Sequence, residues 1–321
     1  MKNILSILLV SIILMGCSDN VKEEVLDRYD NGQKKLVVKY KGEGSNEVIV
    51  SRITYRANGD IIISENPSDK TKMVREYYYN EDADDLFYYT PIELERNYKD
   101  GKLDGLFKEW YENGQLKEEG NYKDGERDGL WKKWYENGQL KEEGNYKDGK
   151  RDGLWKGWYE NGQLEKEGRL KDGELDGLWK AWDENGQLIG EGAWKDGELD
   201  GLVRGWDENG QLDREEKYKD GELDGLKRGW YENGQLKFEK NYKDGKEDGL
   251  QRVWYENGQL KFEVNYKDGE LDGLFKRWHA NGILASEGNY KDGKEDGLQR
   301  VWYENGQLEA EGNYKDGKRI D

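Results

Sequence analysis

The chain has 321 residues, a net charge of −18, 38% charged and 34% hydrophobic residues, and a mean hydropathy of −1.19. That balance is too poor in aliphatic side chains for a large two-layer core, while 12% aromatic residues and 13 Trp are too many for a disordered chain. The acidity disfavours nucleic acid and anionic lipid as long-range partners, and a single Cys excludes internal disulfides and Cys-based metal sites.

The first element is a leader. Lys2 precedes a 12-residue apolar run, ILSILLVSIILM at 4–15, too short to span a bilayer comfortably and suited to the apolar core of a secretory signal. It runs into Leu14-Met15-Gly16-Cys17, which resembles a bacterial lipobox. The resemblance implies cleavage between Gly16 and Cys17 and acylation of the Cys17 thiol, palmitate included. Residues 1–16 would be removed and 17–20 would form a short tether. The buried CH₂ groups would then hold the chain to a membrane, on the extracytoplasmic side of a bacterial envelope. The plainer alternative is a cleaved signal with an incidental Cys.

Residues 21–96 read as a degenerate relative of the regular array at 97–321, forming an N-terminal cap. Tyr29-Asp30-Asn31-Gly32-Gln33 and Tyr55-Arg56-Ala57-Asn58-Gly59-Asp60 echo the Tyr-Glu-Asn-Gly-Gln of that array. VIVSRITY at 48–55 and the isoleucines at 61–63 read as strands around an Asn-Gly turn. Pro67 and Pro91 bracket an irregular acidic stretch at 81–85.

From residue 97 to 321 a 24-residue unit repeats nine times without insertion. Trp110, Trp134, Trp158, Trp182, Trp206, Trp230, Trp254, Trp278 and Trp302 mark the copies and form the candidate interaction face. Asn113-Gly114 and its copies predict a hairpin between strands at 106–111 and 115–122. A two-residue type I′ turn there sets Lys108 opposite Glu119, Trp110 opposite Lys117, and Tyr111 opposite Leu116; a three-residue loop with a bulge at Gly114 shifts that register. Recurrence supports the first pair, since position 108 is Lys or Arg, and position 119 is Glu, in all nine units. Each opposed pair is worth roughly 0.2–1 kcal/mol, and the regular basic partners make these glutamates structural rather than catalytic.

The pleat places Leu106, Lys108 and Trp110 on one face, Phe107 and Tyr111 on the other. The expected fold is all-β: an elongated single-layer sheet of tandem hairpins, twisted, about 85–90 Å long, whose thin core is ladders of Leu, Trp and Tyr. The second connection, Asp124-Gly125-Glu126-Arg127-Asp128-Gly129, reads as turn chemistry; it lacks the ligand alternation of an EF-hand loop. His279 is the only His and replaces a repeat Tyr, reading as drift at an exposed turn flank. No catalytic residue, metal site or cofactor is expected.

The run Tyr122-Lys123-Asp124-Gly125-x-x-Asp128-Gly129-Leu130-Trp131-x-x-Trp134-Tyr135-Glu136-Asn137-Gly138-Gln139-Leu140 resembles the MORN repeat, in its bacterial variant form, MORN_2. Asp128-Gly129 stands where classical MORN units carry His-Gly. The resemblance implies a sheet of successive hairpins and a scaffold for protein or membrane interaction, without catalysis. MORN repeats accompany phosphatidylinositol-phosphate kinases in plants, but this chain has no Gly-rich phosphate loop with the Lys and Asp elements a kinase needs. Variant-MORN proteins also include YwqK-family antitoxins, which implies an envelope protein partner and an immunity role. Trp-Tyr-x-Asn-Gly hairpins are similar too to choline- and glucan-binding wall repeats, so a glycan-binding face is the alternative.

Overall fold

The computed structural model describes residues 21–29, 32–41, 48–56, 60–67, 70–77 and 92–321. The leader with Gly16 and Cys17, the Asn58-Gly59 turn and the acidic stretch at 81–85 lie outside the described residues. The fold is all-β: 27 strands in an open sheet, without helix among the described residues. Two compact units are distinguished, one reaching Gly153 and including Glu160–Gly162, the other made of Leu154–Tyr159 and Gln163–Asp321.

The first unit is an antiparallel meander. Its strands are β1 (Val21–Arg28), β2 (Lys34–Lys41), β3 (Val48–Tyr55), β4 (Ile61–Asn66), β5 (Thr71–Tyr77), β6 (Ile92–Lys99), β7 (Lys102–Trp110), β8 (Leu116–Lys123), β9 (Glu126–Trp134) and β10 (Leu140–Lys147). Each pairs with the next. Thus β6 spans the junction between degenerate and regular sequence. The second unit repeats the alternation down to Lys318–Arg319. Asp176 and Asp248 each interrupt a strand there, and each still donates its amide to the neighbouring strand, to Arg169 O and Asn241 O.

The hairpin loop corrects the two-residue expectation at Asn113-Gly114. Tyr111 N donates to Gln115 O at 2.8 Å and Gly114 N to Tyr111 O at 2.9 Å, enclosing a three-residue loop that ends at Gly114 with φ +82°. The cause lies in Asn113: its Oδ1 accepts the Gln115 amide, so its side chain holds a right-handed turn. Trp110 therefore faces Leu116, not Lys117, and Tyr111 faces Gln115, not Leu116. One strand residue later a bulge at Lys117 restores the offset, and Lys108 does face Glu119. The type I′ turn sits at the other connection, where Asp124 (φ +53°) and Gly125 (φ +95°) are flanked by the pair Lys123–Glu126.

Both connections are tied to the next repeat. The Tyr111 hydroxyl donates to Trp134 O at 2.9 Å and Asn113 Nδ2 to Glu136 O at 2.9 Å. At the opposite edge Gly125 N donates to Leu103 O at 2.8 Å. The second unit repeats these bonds, as from Tyr231 to Trp254 O, Asn233 to Glu256 O, and Gly245 N to Leu223 O. The degenerate region shares the device: the Tyr29 hydroxyl donates to Tyr55 O at 2.9 Å.

Candidate interaction face

Alternation along β7 puts Leu106, Lys108 and Trp110 on one face, with Asn121, Glu119 and Leu116 beside them on β8. All nine marker tryptophans, Trp110 through Trp302, are half-buried. The leucines at position 106 are not core, which corrects the expected Leu ladder. Leu106, Leu130, Leu154 and Leu178 are 37%, 47%, 46% and 50% exposed. Leu274 is exposed too, while Leu202, Leu226, Leu250 and Leu298 are half-buried, so in these copies exposed or half-buried Leu and half-buried Trp flank the charged position.

The charged row differs between lysine and arginine copies. Lys108 reaches Glu119 at 3.5 Å and Lys132 reaches Glu143 at 3.7 Å. In the second unit Arg204 binds Glu215 at 2.9 Å and Glu191 at 3.2 Å. Arg228 likewise spans Glu239 at 3.0 Å and Glu215 at 3.3 Å. Arg252 continues to Glu263 at 2.8 Å. The planar guanidinium fork serves two carboxylates on neighbouring strands, which a compact ammonium does less well. The bond to Glu215, against some desolvation and aided by Glu191, holds the Arg204 guanidinium above its usual pKa.

The opposite face holds the buried aromatics, at a position that the Trp period does not mark. Trp131 is 2% exposed and Trp155 4%, at the position that Phe107 holds in the first repeat. Trp131 lies over Gly120, where a Cβ would approach its ring to 2.3 Å. The missing side chain lets Phe107 and Trp131 meet at 5.5 Å between ring centroids. Tyr122 and Tyr146 close the cluster edge-on. Arg127 stacks on Trp131 at 4.0 Å and binds Glu118 at 2.9 Å. Burial acts to lower the Arg127 pKa, but the Tyr122 and Tyr146 hydroxyls and the Glu118 charge outweigh it and raise the pKa.

The slot is filled differently in other repeats. Gly168 faces Trp179. In the next repeat Gly192 faces Val203. Where Glu216 replaces the Gly, Lys227 replaces the aromatic and binds it at 2.9 Å. Desolvation pushes the Glu216 pKa up, but the bonds from Lys227 and Tyr218 prevail and lower it. Gln251 and Gln299 take over the indole's hydrogen bond: Trp131 Nε1 donates to Asn121 O, Gln251 Nε2 to Asn241 O, and Gln299 Nε2 to Asn289 O. The signal in the sequence is this co-occurrence of residues eleven apart, Gly with Trp and Glu with Lys.

The remaining candidates resolve as structure. In some of the Asp-Gly-x-x-Asp-Gly runs the second carboxylate accepts the amide of the next turn, as Asp104 does from Asp124 N at 3.3 Å and Asp248 from Asp268 N at 3.2 Å. Among the described residues no group of three or more His, Cys, Asp or Glu is placed to hold a metal ion. His279 is not idle drift at an exposed flank. It is 23% exposed and its Nε2 lies 2.9 Å from Trp302 O, in the role of the tyrosine hydroxyl.

Strand-paired hairpins joined by repeated loop bonds define an all-β repeat protein, and its family match makes it a repeat protein for protein or membrane interaction. The MORN repeat variant profile, MORN_2, matches residues 103–124, 127–148, 151–172, 175–196, 199–220, 223–244, 247–268, 271–292 and 295–316, more than half of the chain, and the chain belongs to that family. No curated protein matches it. Among solved structures it is similar to "Crystal Structure of TcdB2-TccC3 without hypervariable C-terminal region", at 11% identity and a TM-score of 0.16, over 88% of this chain and 20% of that one.

Proposed function

We propose that the protein is a non-catalytic scaffold that binds a protein partner across its tryptophan face, anchored through lipidated Cys17 on the extracytoplasmic side of a bacterial envelope membrane. Toxin neutralisation, as by YwqK-family antitoxins, is the particular form of this role we favour. The observation that carries the reading recurs in each unit: exposed leucines, Leu106 and Leu130 in the first and Leu154, Leu178 and Leu274 in the second, stand beside half-buried tryptophans. Between them lie ion pairs such as Lys108–Glu119, Lys132–Glu143 and Lys156–Glu167, so apolar contact there is opposed by little unpaired charge. The anchor is supported by the apolar run at 4–15 ending in Gly16-Cys17.

The test uses the Cys17→Ser chain as soluble bait against envelope extract. A partner retained by this chain should be lost, by about tenfold or more, from Leu130→Glu and Leu274→Glu variants, about 1.4 kcal/mol. Retention should persist in Glu112→Gln, at the loop edge. Quenching of Trp fluorescence by choline or envelope glycan, with no protein retained, would instead support the glycan-binding alternative. In cells the same Cys17→Ser change should move the chain from the membrane to the soluble fraction.

A further inference from the structure

We infer that Asn185 and Asn209 are sites of spontaneous deamidation, set apart by the fold from other Asn-Gly loops of the same local sequence. Glu-Asn-Gly-Gln stands at 112–115, 136–139, 184–187, 208–211, 232–235 and 256–259, among other places. Glycine after asparagine leaves the next amide nitrogen free of side-chain hindrance. In the reaction Gly N bonds to Asn Cγ, the Cγ–Nδ2 bond breaks, and ammonia leaves with the amide proton. Bulk water then opens the succinimide to aspartate or isoaspartate, with no change in oxidation state.

The attack requires the carboxamide to turn towards its own backbone. In four of these loops it is held at both ends. Asn113 Oδ1 accepts Gln115 N, and Asn113 Nδ2 donates to Glu136 O, both at 2.9 Å. Asn137, Asn233 and Asn257 repeat the two bonds, reaching Glu160 O, Glu256 O and Ala280 O. The other two loops differ because Asp183 and Asp207 stand at the tyrosine position. Asp183 Oδ1 accepts Gln187 N and Asp207 Oδ1 accepts Gln211 N, each at 2.9 Å, so asparagine loses its acceptor role. The bridge to the next repeat passes to glutamine: Gln187 Nε2 donates to Asp207 O at 2.8 Å and Gln211 Nε2 to Glu232 O at 3.1 Å. The Asn185 side chain is left with the Asp183 carboxylate of its own loop. The Asn209 side chain has no hydrogen-bond partner among the described residues. Both asparagines are exposed.

The backbone is otherwise alike. Gly186 and Gly210 have φ +85° and +78°, against +82° at Gly114 and +79° at Gly234. Gly210 N donates to Asp207 O at 3.0 Å, as Gly114 N does to Tyr111 O at 2.9 Å. The attacking nitrogen is thus restrained equally, and the tether on the carboxamide is what separates the two groups.

The experiment incubates the full chain, folded and in guanidinium chloride, at one pH and temperature. Tryptic peptides, distinct in sequence for each loop, are followed by mass for exchange of amide for acid. In the folded chain Asn185 and Asn209 should convert about three- to tenfold faster than Asn113, Asn137, Asn233 and Asn257, the weight of a net hydrogen bond. In the unfolded chain all should convert alike. Asp207→Tyr rebuilds the ordinary loop and should bring Asn209 into the slow group; Tyr231→Asp should carry Asn233 the other way. Equal rates in the folded chain, a difference that persists in guanidinium chloride, or an Asn209 rate unmoved by Asp207→Tyr overturns the inference.

Discussion

At the residue scale, the decisive position is a glycine. Gly120 lies on the strand between Phe107 and Trp131, and only the absence of a Cβ lets those rings touch. Overpacking of this kind costs about 1–3 kcal/mol, so Gly120→Ala should lower the urea midpoint without changing the slope. Adding Trp131→Val, the residue that Gly192 already faces, should recover part of the loss. If Gly120→Ala is neutral, the slot is not close-packed. This part of the core was not legible from alternation alone. Phe107 and Trp110 lie on opposite faces of β7 and are equally aromatic, and nothing in a two-residue period says which side is packed.

At the element scale, the hairpin is held by compensation. The loop at Asn113-Gly114 is one residue longer than a type I′ turn, and the bulge at Lys117 takes up the difference. Lys108 and Glu119 are therefore opposed although the loop is not the expected one, which is why recurrence of their charges is a sound guide. The arginine copies go further, because each guanidinium joins two strands. Arg228→Lys should keep one of the contacts to Glu239 and Glu215 and lose the other. The expected loss is about 0.2–1 kcal/mol, reduced by salt, and a double-mutant cycle with Glu215→Gln measures it. Coupling equal to that of the native arginine would mean that the fork geometry contributes nothing.

At the scale of the whole molecule, stability is expected to be a sum of repeat and neighbour terms. The bonds between repeats recur with the sequence period, as from Asn233 to Glu256 O and from Asn257 to Ala280 O. Deleting residues 223–246, one full period, should leave a cooperative β protein with a lower unfolding slope. Deleting 223–234, half a period, sets an Asn-Gly loop against an Asp-Gly turn and should abolish cooperative unfolding, seen by far-UV circular dichroism in urea. Equal behaviour of the two deletions would show that the loop bonds do not set the register.

The 24-residue recurrence, the hairpin chemistry and the charge alternation across β7 and β8 were determined by the amino-acid order alone, because each is a short-range property of neighbouring or paired residues. The burial of Trp131 rather than Trp110, the exposure of Leu106 and Leu130, and the role of His279 were decided only by tertiary structure. Each depends on what an adjacent strand or loop places over a side chain: an empty glycine slot, open solvent, or a backbone carbonyl twenty-three residues further along.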